Sequence, residues 1–331
     1  MLFRSGSQHD SGGTTRIKVG RRATDVREDF LIADNPRAIP HMVFPDEVFF
    51  FVIDSIGREK WSSLSEDTKR FVATLGCKLE PIVQIVPATP VPLVLGFECL
   101  GLGSLGENFV EICRKCNDLD AGLIRICLAV VAIKTISSLR IESMRSGLPG
   151  ARNLVFSINL DPFMIESPHF KKFLKWYFHD LAHNVMFEVN ETTTKQYLSR
   201  LKNLQVDYNL RYSADDLNEW HDEVRIALLS RVEMTKMDYR SFADAMAIRG
   251  EDKEEALARL YAHNLPNRPL VVEGVQDSDY LEFLERHWNF AEHGYLYGQG
   301  YILESGVHWD NSVRPLKGYG LPGGSFLLSL S

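Results

Sequence analysis

The sequence has few cysteines, no long apolar run and no excess of basic residues. Its five cysteines are an odd number without the spacing of a disulfide framework, which indicates a reducing, cytoplasmic compartment. No stretch reaches the roughly 18 consecutive apolar residues of a membrane-spanning helix, and the first residues lack the apolar segment of a secretion signal. With 37 basic against 44 acidic residues, the chain also lacks the positive charge of a protein that binds a nucleic-acid polymer.

The composition divides the 331 residues into a central region and two tails. Residues 1–45 are first rich in glycine, serine and threonine and then basic, so we expect a flexible tail or a docking arm for an acidic partner. Residues 312–331 contain glycine and proline and predict an irregular extension. We therefore expect one folded domain over residues 46–311.

Short apolar runs alternate with helical patterns along this central region. The runs predict seven strands, at 93–97, 154–158, 185–189, 210–214, 233–237, 270–272 and 295–297. Between them, residues 123–145, 169–183 and 253–263 predict helices. This repeated strand–helix alternation predicts an α/β fold, and at this length a closed TIM-like barrel. In such barrels the chemistry lies at the carboxyl ends of the strands.

Polar residues follow these predicted strands at the point where each one ends. They are Glu98, Asn159, Glu188, Asp215, Asp216, Lys236, Asp238 and Glu273. A ring of such oxygen ligands suits Mg²⁺ or Mn²⁺, and a water polarised by two ions is a nucleophile for a phosphodiester. The alternative is that each acid caps the helix that follows it. So many acids at successive strand ends favour the cation site.

The same segments resemble the EAL domain, the cyclic di-GMP phosphodiesterase module of bacteria. Over residues 46–310, GFECL (96–100) is similar to the family's GFEAL, FEVNE (187–191) to LEITE, and MTKMDYRSF (234–242) to YLKIDRSF. The segments EPIV, SINLDP, VVEGVQ and GYLYGQ match further family segments in the family's order. The resemblance implies an EAL-type (β/α) barrel.

The resemblance also implies the roles of individual residues. It implies that four strand-end side chains hold Mg²⁺ or Mn²⁺: Glu98, Asn159, Glu188 and Asp215. It implies catalytic roles for three others: Asp216, Lys236 and Glu273. It implies that three further positions contact the ligand or brace its loop: Glu191, Gln276 and His293. The family reaction is metal-dependent hydrolysis of cyclic di-GMP to the linear dinucleotide.

The sequence departs from the EAL pattern where the family binds its ligand. Leu102 stands in place of an arginine that grips a ligand phosphate, and leucine has no donors for this task. The loop after Asp215 lacks both family glycines, so it cannot take a conformation that needs them. Gln276 and His293 replace the family's glutamate and glutamine.

These departures predict a regulatory module of cyclic di-GMP signalling that has little or no hydrolytic activity and acts on a protein partner. Two alternatives stay open. The retained metal ligands favour an active phosphodiesterase, and binding without turnover would make the chain a cyclic di-GMP receptor. A homodimer is a further option, because many EAL domains pair through the loop that is altered here.

Overall fold

The computed structural model describes residues 14–18, 29–33, 41–85, 93–103, 106–145, 154–190, 195–215, 228–247, 269–276, 278–288, 296–300 and 326–327. The chain divides into two compact units. The first comprises Met1–Leu79, Cys99–Ser146 and Pro162–Leu181, and the second comprises Glu80–Glu98, Gly147–Asp161 and Ala182–Ser331. The predicted domain boundaries at residues 45 and 311 stay a prediction.

The strands of the described residues form one continuous sheet. They are β1 (Thr14–Lys18), β2 (Asp29–Ala33), β3 (His41–Val43), β4 (Gly76–Ile85), β5 (Leu93–Leu102), β6 (Val155–Leu160), β7 (Val185–Val189), β8 (Arg211–Ala214), β9 (Val232–Asp238), β10 (Leu270–Glu273), β11 (Leu296–Gly298) and β12 (Phe326–Leu327). Eight of them, in the order β4-β11-β10-β9-β8-β7-β6-β5, close into a barrel through the pairing of β4 with β5.

The orientation of the barrel strands decides which residues meet at one edge. The pairs from β6 to β11 are parallel, so their carboxyl ends lie together. β4 is the exception, because it runs antiparallel to β11. The structure thus confirms the predicted α/β barrel, and all seven predicted strands overlap observed ones.

The helices of the described residues lie between these strands along the chain. They are α1 (Pro45–Ile56), α2 (Arg58–Ser63), α3 (Glu66–Val72), α4 (Phe109–Lys115), α5 (Ala121–Arg145), α6 (Pro162–Glu166), α7 (Phe170–Phe173), α8 (Lys195–Tyr208), α9 (Tyr239–Ala247) and α10 (Ser278–His287). α5 confirms the helix predicted at 123–145, whereas the one predicted at 253–263 lies outside the described residues.

The helix predicted at 169–183 is instead three short pieces. α7 is followed by a π-helix over Leu174–Phe178 and a 3₁₀ turn over His179–Leu181. Phe173 and Phe178 are five residues apart and both are buried. A π-turn brings residues at this spacing onto one face, which a regular α-helix would not do. The periodicity of the sequence therefore located the segment but gave the wrong kind of helix.

Within residues 1–45, the structure describes three strands. β1, β2 and β3 pair in antiparallel order, and β3 pairs with β4 through Met42 and Cys77. The composition gave no signal for these strands, because large apolar residues are scarce in this segment and strand pairing is made by the backbone. A flexible tail or a docking arm stays a prediction for this segment.

In the first unit, the central part of α5 is apolar and mostly buried. Its residues Cys127, Val130, Val131 and Ile136 are fully buried. Among the described residues, α5 is also the helix long and apolar enough to cross a membrane. Because 72% of that apolar stretch is buried within the fold, this is weak evidence for a membrane span.

In the second unit, the inside of the barrel is filled by apolar side chains. Ile82, Met186, Met234, Val271 and Tyr297, from five different strands, pack into one buried cluster. Side chains alternate between the two faces of a strand, so residues two positions further along also point inward. The residues two positions beyond Met186, Met234, Val271 and Tyr297 are Glu188, Lys236, Glu273 and Gln299. The apolar cluster is thus the floor of a polar site.

Candidate functional site

Six polar side chains predicted from the sequence lie on six consecutive barrel strands, all within the second unit; five are within two residues of the carboxyl end of their strand, and Glu98 is four residues before the end of β5. We call this set the strand-end ring, and it consists of Glu98, Asn159, Glu188, Asp215, Lys236 and Glu273. Asn159 and Glu188 are register partners on β6 and β7 and therefore project from the same face. The structure brings the six together, and their roles as metal ligands or catalytic groups stay predictions.

Lys236 lies at the centre of the strand-end ring. Its Nζ atom is 2.8 Å from Glu98 Oε2, 2.6 Å from Glu188 Oε1 and 2.5 Å from Glu273 Oε1. The lysine side chain is 1% exposed. Burial alone would lower its pKa, but the charges of Glu188, Glu273 and Glu98 outweigh burial and raise the pKa well above its ordinary value. The ring therefore contains a permanent internal cation.

Glu98 is the carboxylate with the most donors. Its Oε2 accepts hydrogen bonds from Lys236 Nζ at 2.8 Å and from Gln299 Nε2 at 2.5 Å. Its Oε1 accepts a longer one, 3.4 Å, from Asn159 Nδ2. Burial would raise the pKa of Glu98, but the charge of Lys236 and the hydrogen bonds from Lys236 and Gln299 hold it below the ordinary value. Glu98 is therefore ionised.

The environment of Glu188 shifts its pKa in the opposite direction from that of Glu98. It is fully buried; its Oε1 lies 2.6 Å from Lys236 Nζ, whereas its Oε2 has no hydrogen-bond partner among the described residues. Burial and the charge of Glu98 raise its pKa well above the ordinary value, against the opposing effect of Lys236. The same causes act on Glu273, where burial, Asp215 and Glu98 raise the pKa to about 8 in spite of Lys236. One lysine is thus too little positive charge for all the carboxylates around it.

Asp215 and Asp238 both lie at strand ends, but their contacts differ. Asp215 follows β8, is half-buried and contributes to the raised pKa of Glu188 and Glu273. Asp238 ends β9, but its Oδ2 accepts the backbone N–H of Arg240 at 2.8 Å, in the first turn of α9. Asp238 is therefore a helix cap, as the alternative interpretation of strand-end acids holds.

The remaining predicted positions lie outside the strand-end ring. Gln276 is exposed, three residues after the end of β10, where Gly274 turns the chain at a φ of +73°. Leu102 is the last residue of β5 and is half-buried. Asp216, Glu191 and His293 fall outside the described residues.

Two residues of the site did not emerge from the sequence: Gln299 and Glu80. Gln299 is 3% exposed, and its Nε2 donates to Glu98 Oε2 and, at 3.1 Å, to Glu80 Oε2. It directly follows β11, so the rule that locates polar residues at strand ends applies to it as well. Glu80 escapes this rule, because it lies inside β4, which runs antiparallel to β11.

The chemistry of the donor set fits a divalent cation. The carboxylates of Glu98, Glu188 and Asp215 and the amide oxygen of Asn159 are the hard oxygen ligands that Mg²⁺ and Mn²⁺ prefer. The buried Oε2 of Glu188, which lacks a hydrogen-bond donor in the described part of the chain, is an acceptor that a cation would satisfy. Within the same residues, no group of three or more acidic, histidine or cysteine side chains is already arranged to hold a metal ion. The Nζ of Lys236 stands among these oxygens.

Comparison with known proteins decides the fold. No protein-family model and no curated protein sequence matches the chain. Among solved structures, the EAL enzyme Bd1971 in its cAMP-bound form has a TM-score of 0.51 at 17% identity, over 76% of this chain and 67% of that one. The chain has the EAL-domain fold.

A second solved structure agrees with this assignment. The calcium and cyclic di-GMP complex of BlrP1 from Klebsiella pneumoniae also has a TM-score of 0.51, at 17% identity, over 77% of this chain and 64% of that one. The chain therefore spans about two thirds of the length of these two proteins. Within the EAL fold, the strand-end ring lies at the carboxyl edge of the barrel, where this architecture places its chemistry.

Proposed function

We propose that this chain is a degenerate EAL-domain protein of bacterial cyclic di-GMP signalling, a cytoplasmic regulatory module that acts through a protein partner and has little or no hydrolytic activity. The observation that carries the proposal is the charge balance of the strand-end ring. The ring holds four carboxyl groups and one ammonium, and Glu80 adds a further carboxyl beside it. A cyclic dinucleotide has two anionic phosphodiesters and needs positive donors to bind there.

The end of β5 supports the same conclusion. Leu102 lies four residues beyond Glu98 on this strand, where the EAL pattern has a phosphate-gripping arginine. A leucine side chain offers no hydrogen-bond donor and no charge, so this strand end cannot hold an anion. Both features weaken the binding of a dinucleotide, and turnover depends on that binding.

The direct test is an assay of hydrolysis. The purified chain is incubated with cyclic di-GMP and Mn²⁺, and the linear dinucleotide is measured by chromatography. We expect no more product than from the Glu98→Ala variant, which lacks a central carboxylate of the ring. Turnover by the unmodified chain that Glu98→Ala abolishes would contradict the proposal.

An active metal-dependent phosphodiesterase is the second candidate, and the register of β6 and β7 favours it. Asn159 and Glu188 are in-register neighbours, and Asn159 reaches Glu98 on β5, so three family-type ligands lie side by side. When bound, a divalent cation would polarise a water for attack on a phosphodiester. Glu98, Asn159, Glu188 and Asp215 would hold this cation, and Lys236 would orient the water or offset developing negative charge.

A binding measurement separates the regulatory candidate from a receptor. Titration calorimetry with cyclic di-GMP, with and without Mg²⁺, is expected to give no heat of binding for the unmodified chain. The Leu102→Arg variant restores a bidentate phosphate donor, so we expect it to gain binding in the presence of Mg²⁺, whereas Leu102→Met serves as the matched control. Tight binding by the unmodified chain without turnover would identify a receptor instead.

A further inference from the structure

Aromatic side chains cluster on the exposed surface of α1 and α2. Phe50 is 64% exposed and Phe49 is 36% exposed, although phenylalanine is among the residue types that a fold most often buries. The Phe49 ring contacts the rings of Phe50 and Trp61 edge-on, at centroid distances of 5.6 and 5.3 Å. Trp176 of the π-helix is also 52% exposed. Exposed aromatic side chains in such a cluster mark a surface that binds another protein or a membrane.

Lys172 connects α1 to the segment that carries Trp176. Its Nζ donates a hydrogen bond to the backbone oxygen of Asp54 at 2.7 Å and forms an ion pair with the Asp54 carboxylate. The same ammonium lies 4.7 Å from the centroid of the Trp176 ring. Asp54 lies one turn after Phe50 on α1, so both helical segments contribute to one continuous surface of the first unit. We call this surface the aromatic–basic face, and it consists of Phe49, Phe50, Lys171, Lys172, Lys175 and Trp176.

The aromatic–basic face carries positive charge in an acidic chain. Residues 169–179 contain three lysines and no acidic residue, whereas the whole chain has a net charge of −7. Lys171 and Lys175 are exposed and four residues apart, so they lie on the same side of the segment. The neighbouring α2 has two basic residues and one acidic residue, and the exposed Asp46 lies one turn before Phe50 on α1. The excess of positive charge therefore lies on the Trp176 side of the face.

The residue types of this face favour a bilayer of anionic lipids over a protein partner. Lysine is depleted in protein–protein interfaces, where arginine is the enriched basic residue, and the face has three lysines and no arginine. At a bilayer surface, aromatic rings bury their apolar body at the headgroup boundary, while the long lysine side chains extend and keep their ammonium groups in water beside the lipid phosphates. Anionic lipids also attract basic residues from solution.

We propose that the aromatic–basic face binds reversibly to the surface of an anionic lipid bilayer, with Phe50 and Trp176 inserted at the level of the headgroups and Lys171 and Lys175 beside the lipid phosphates. Each basic residue at an anionic surface strengthens binding by about fivefold, and each inserted ring adds the burial of its apolar area. These few anchors attach the chain to the surface without spanning the membrane. This inference does not depend on whether the strand-end ring hydrolyses a dinucleotide.

Sedimentation of the full chain with lipid vesicles tests the inference. One set of vesicles contains phosphatidylcholine alone, and the other contains equal amounts of phosphatidylcholine and phosphatidylglycerol. We expect the chain to sediment with the anionic vesicles only, and the bound fraction to decrease as sodium chloride is added, because salt screens the attraction. Absence of binding to the anionic vesicles would overturn the proposal and leave the face to an acidic protein partner.

Charge reversal tests the contribution of the lysines. Lys175→Glu changes the charge of the face by two units, so we expect the partition coefficient for anionic vesicles to fall by about tenfold or more. Lys202→Glu is the matched control, because Lys202 is an exposed lysine of α8 in the second unit. We expect this control to bind like the unmodified chain.

A second pair of variants tests the aromatic anchors. Phe50→Ser removes an exposed ring, so we expect the partition coefficient to fall by about fivefold or more. Phe163→Ser is the matched control, because Phe163 is 56% exposed but its ring contacts Phe109 of α4. All four substituted positions are exposed, so the variants should keep the fold, which circular dichroism checks. If Lys175→Glu or Phe50→Ser binds anionic vesicles as well as its control does, another part of the chain binds the lipid and the proposal is wrong.

Discussion

The opposite electrostatic states of Glu98 and Glu188 lead to a sharp prediction for the chain in metal-free buffer. At pH 7, we expect Glu98→Gln to lower the free energy of unfolding by about 3 kcal/mol, because it removes an ionised partner from the buried Lys236. We expect Glu188→Gln to change it by less than about 1 kcal/mol. Burial and the charge of Glu98 raise the pKa of Glu188 and so disfavour its ionised form, and a neutral glutamine is therefore tolerated better at this position than at position 98.

The two variants also differ in their response to pH. The folded pKa of Glu98 lies below the ordinary value of 4.5 for a glutamate, so its contribution to stability is present above that pH and is lost as the pH falls through the folded pKa. The folded pKa of Glu188 is raised, so the unfolded chain releases this proton first, and stability falls as the pH rises above about 4.5. Glu188→Gln removes this loss, so its stability relative to the unmodified chain should increase from pH 5 to pH 8.

Urea denaturation in the presence of EDTA, followed by far-UV circular dichroism at pH 5, 6, 7 and 8, measures both effects. Glu233→Gln is the matched control, because Glu233 forms a partly exposed ion pair with Arg211 on β8. Such surface pairs contribute about 0–1 kcal/mol. The reasoning is refuted if Glu188→Gln destabilises the chain as much as Glu98→Gln does, or if its relative stability does not change with pH.

Three further predictions concern other residues of the barrel. Gln299→Leu should lower the free energy of unfolding by about 2 kcal/mol in urea denaturation, because it removes one hydrogen-bond donor from the buried Glu98 and one from Glu80, whereas Gln276→Leu, at an exposed position, should change it by less than about 0.5 kcal/mol. Glu273→Gln should reduce the decline of stability between pH 5 and pH 8, because the folded pKa of this group is about 8 and its proton is lost first on unfolding; an unchanged pH profile would contradict this. Gly96→Ala should yield no soluble folded chain by expression and circular dichroism, because the added Cβ would overlap the Val155 carbonyl oxygen; a soluble, folded variant would show that β5 can move away.

The strand-end ring could be predicted from the sequence because parallel strands impose a simple rule. When β6, β7 and β10 run in the same direction, the residues that end them meet at one edge of the barrel. Asn159, Glu188 and Glu273 follow from this rule without knowledge of any distance. The rule depends on a parallel sheet, which the repeated strand–helix alternation predicts, and on the alternation of side chains along each strand.

The rule fails where the backbone departs from its assumptions. Glu80 was missed because β4 is antiparallel to β11, so a residue inside the strand, rather than at its carboxyl end, reaches the site. Asp238 satisfies the rule but does not join the ring, because the N–H of Arg240 takes its carboxylate for the cap of α9. Strand direction and local capping are settled by three-dimensional pairing, which no single segment of the sequence contains.

The protonation states of the ring are harder to predict from the sequence than the residues that form it. Glu98 and Glu188 are the same residue type in similar sequence positions, and both contact Lys236. They differ because the charge of Lys236 and hydrogen bonds from both Lys236 and Gln299 lower the pKa of Glu98, whereas burial and the charge of Glu98 dominate at Glu188. One of these donors, Gln299, is more than one hundred positions away in the sequence and approaches Glu98 when β4 and β5 close the barrel. A sequence pattern gives the chemical groups of this site, but barrel closure decides which of them carries the charge.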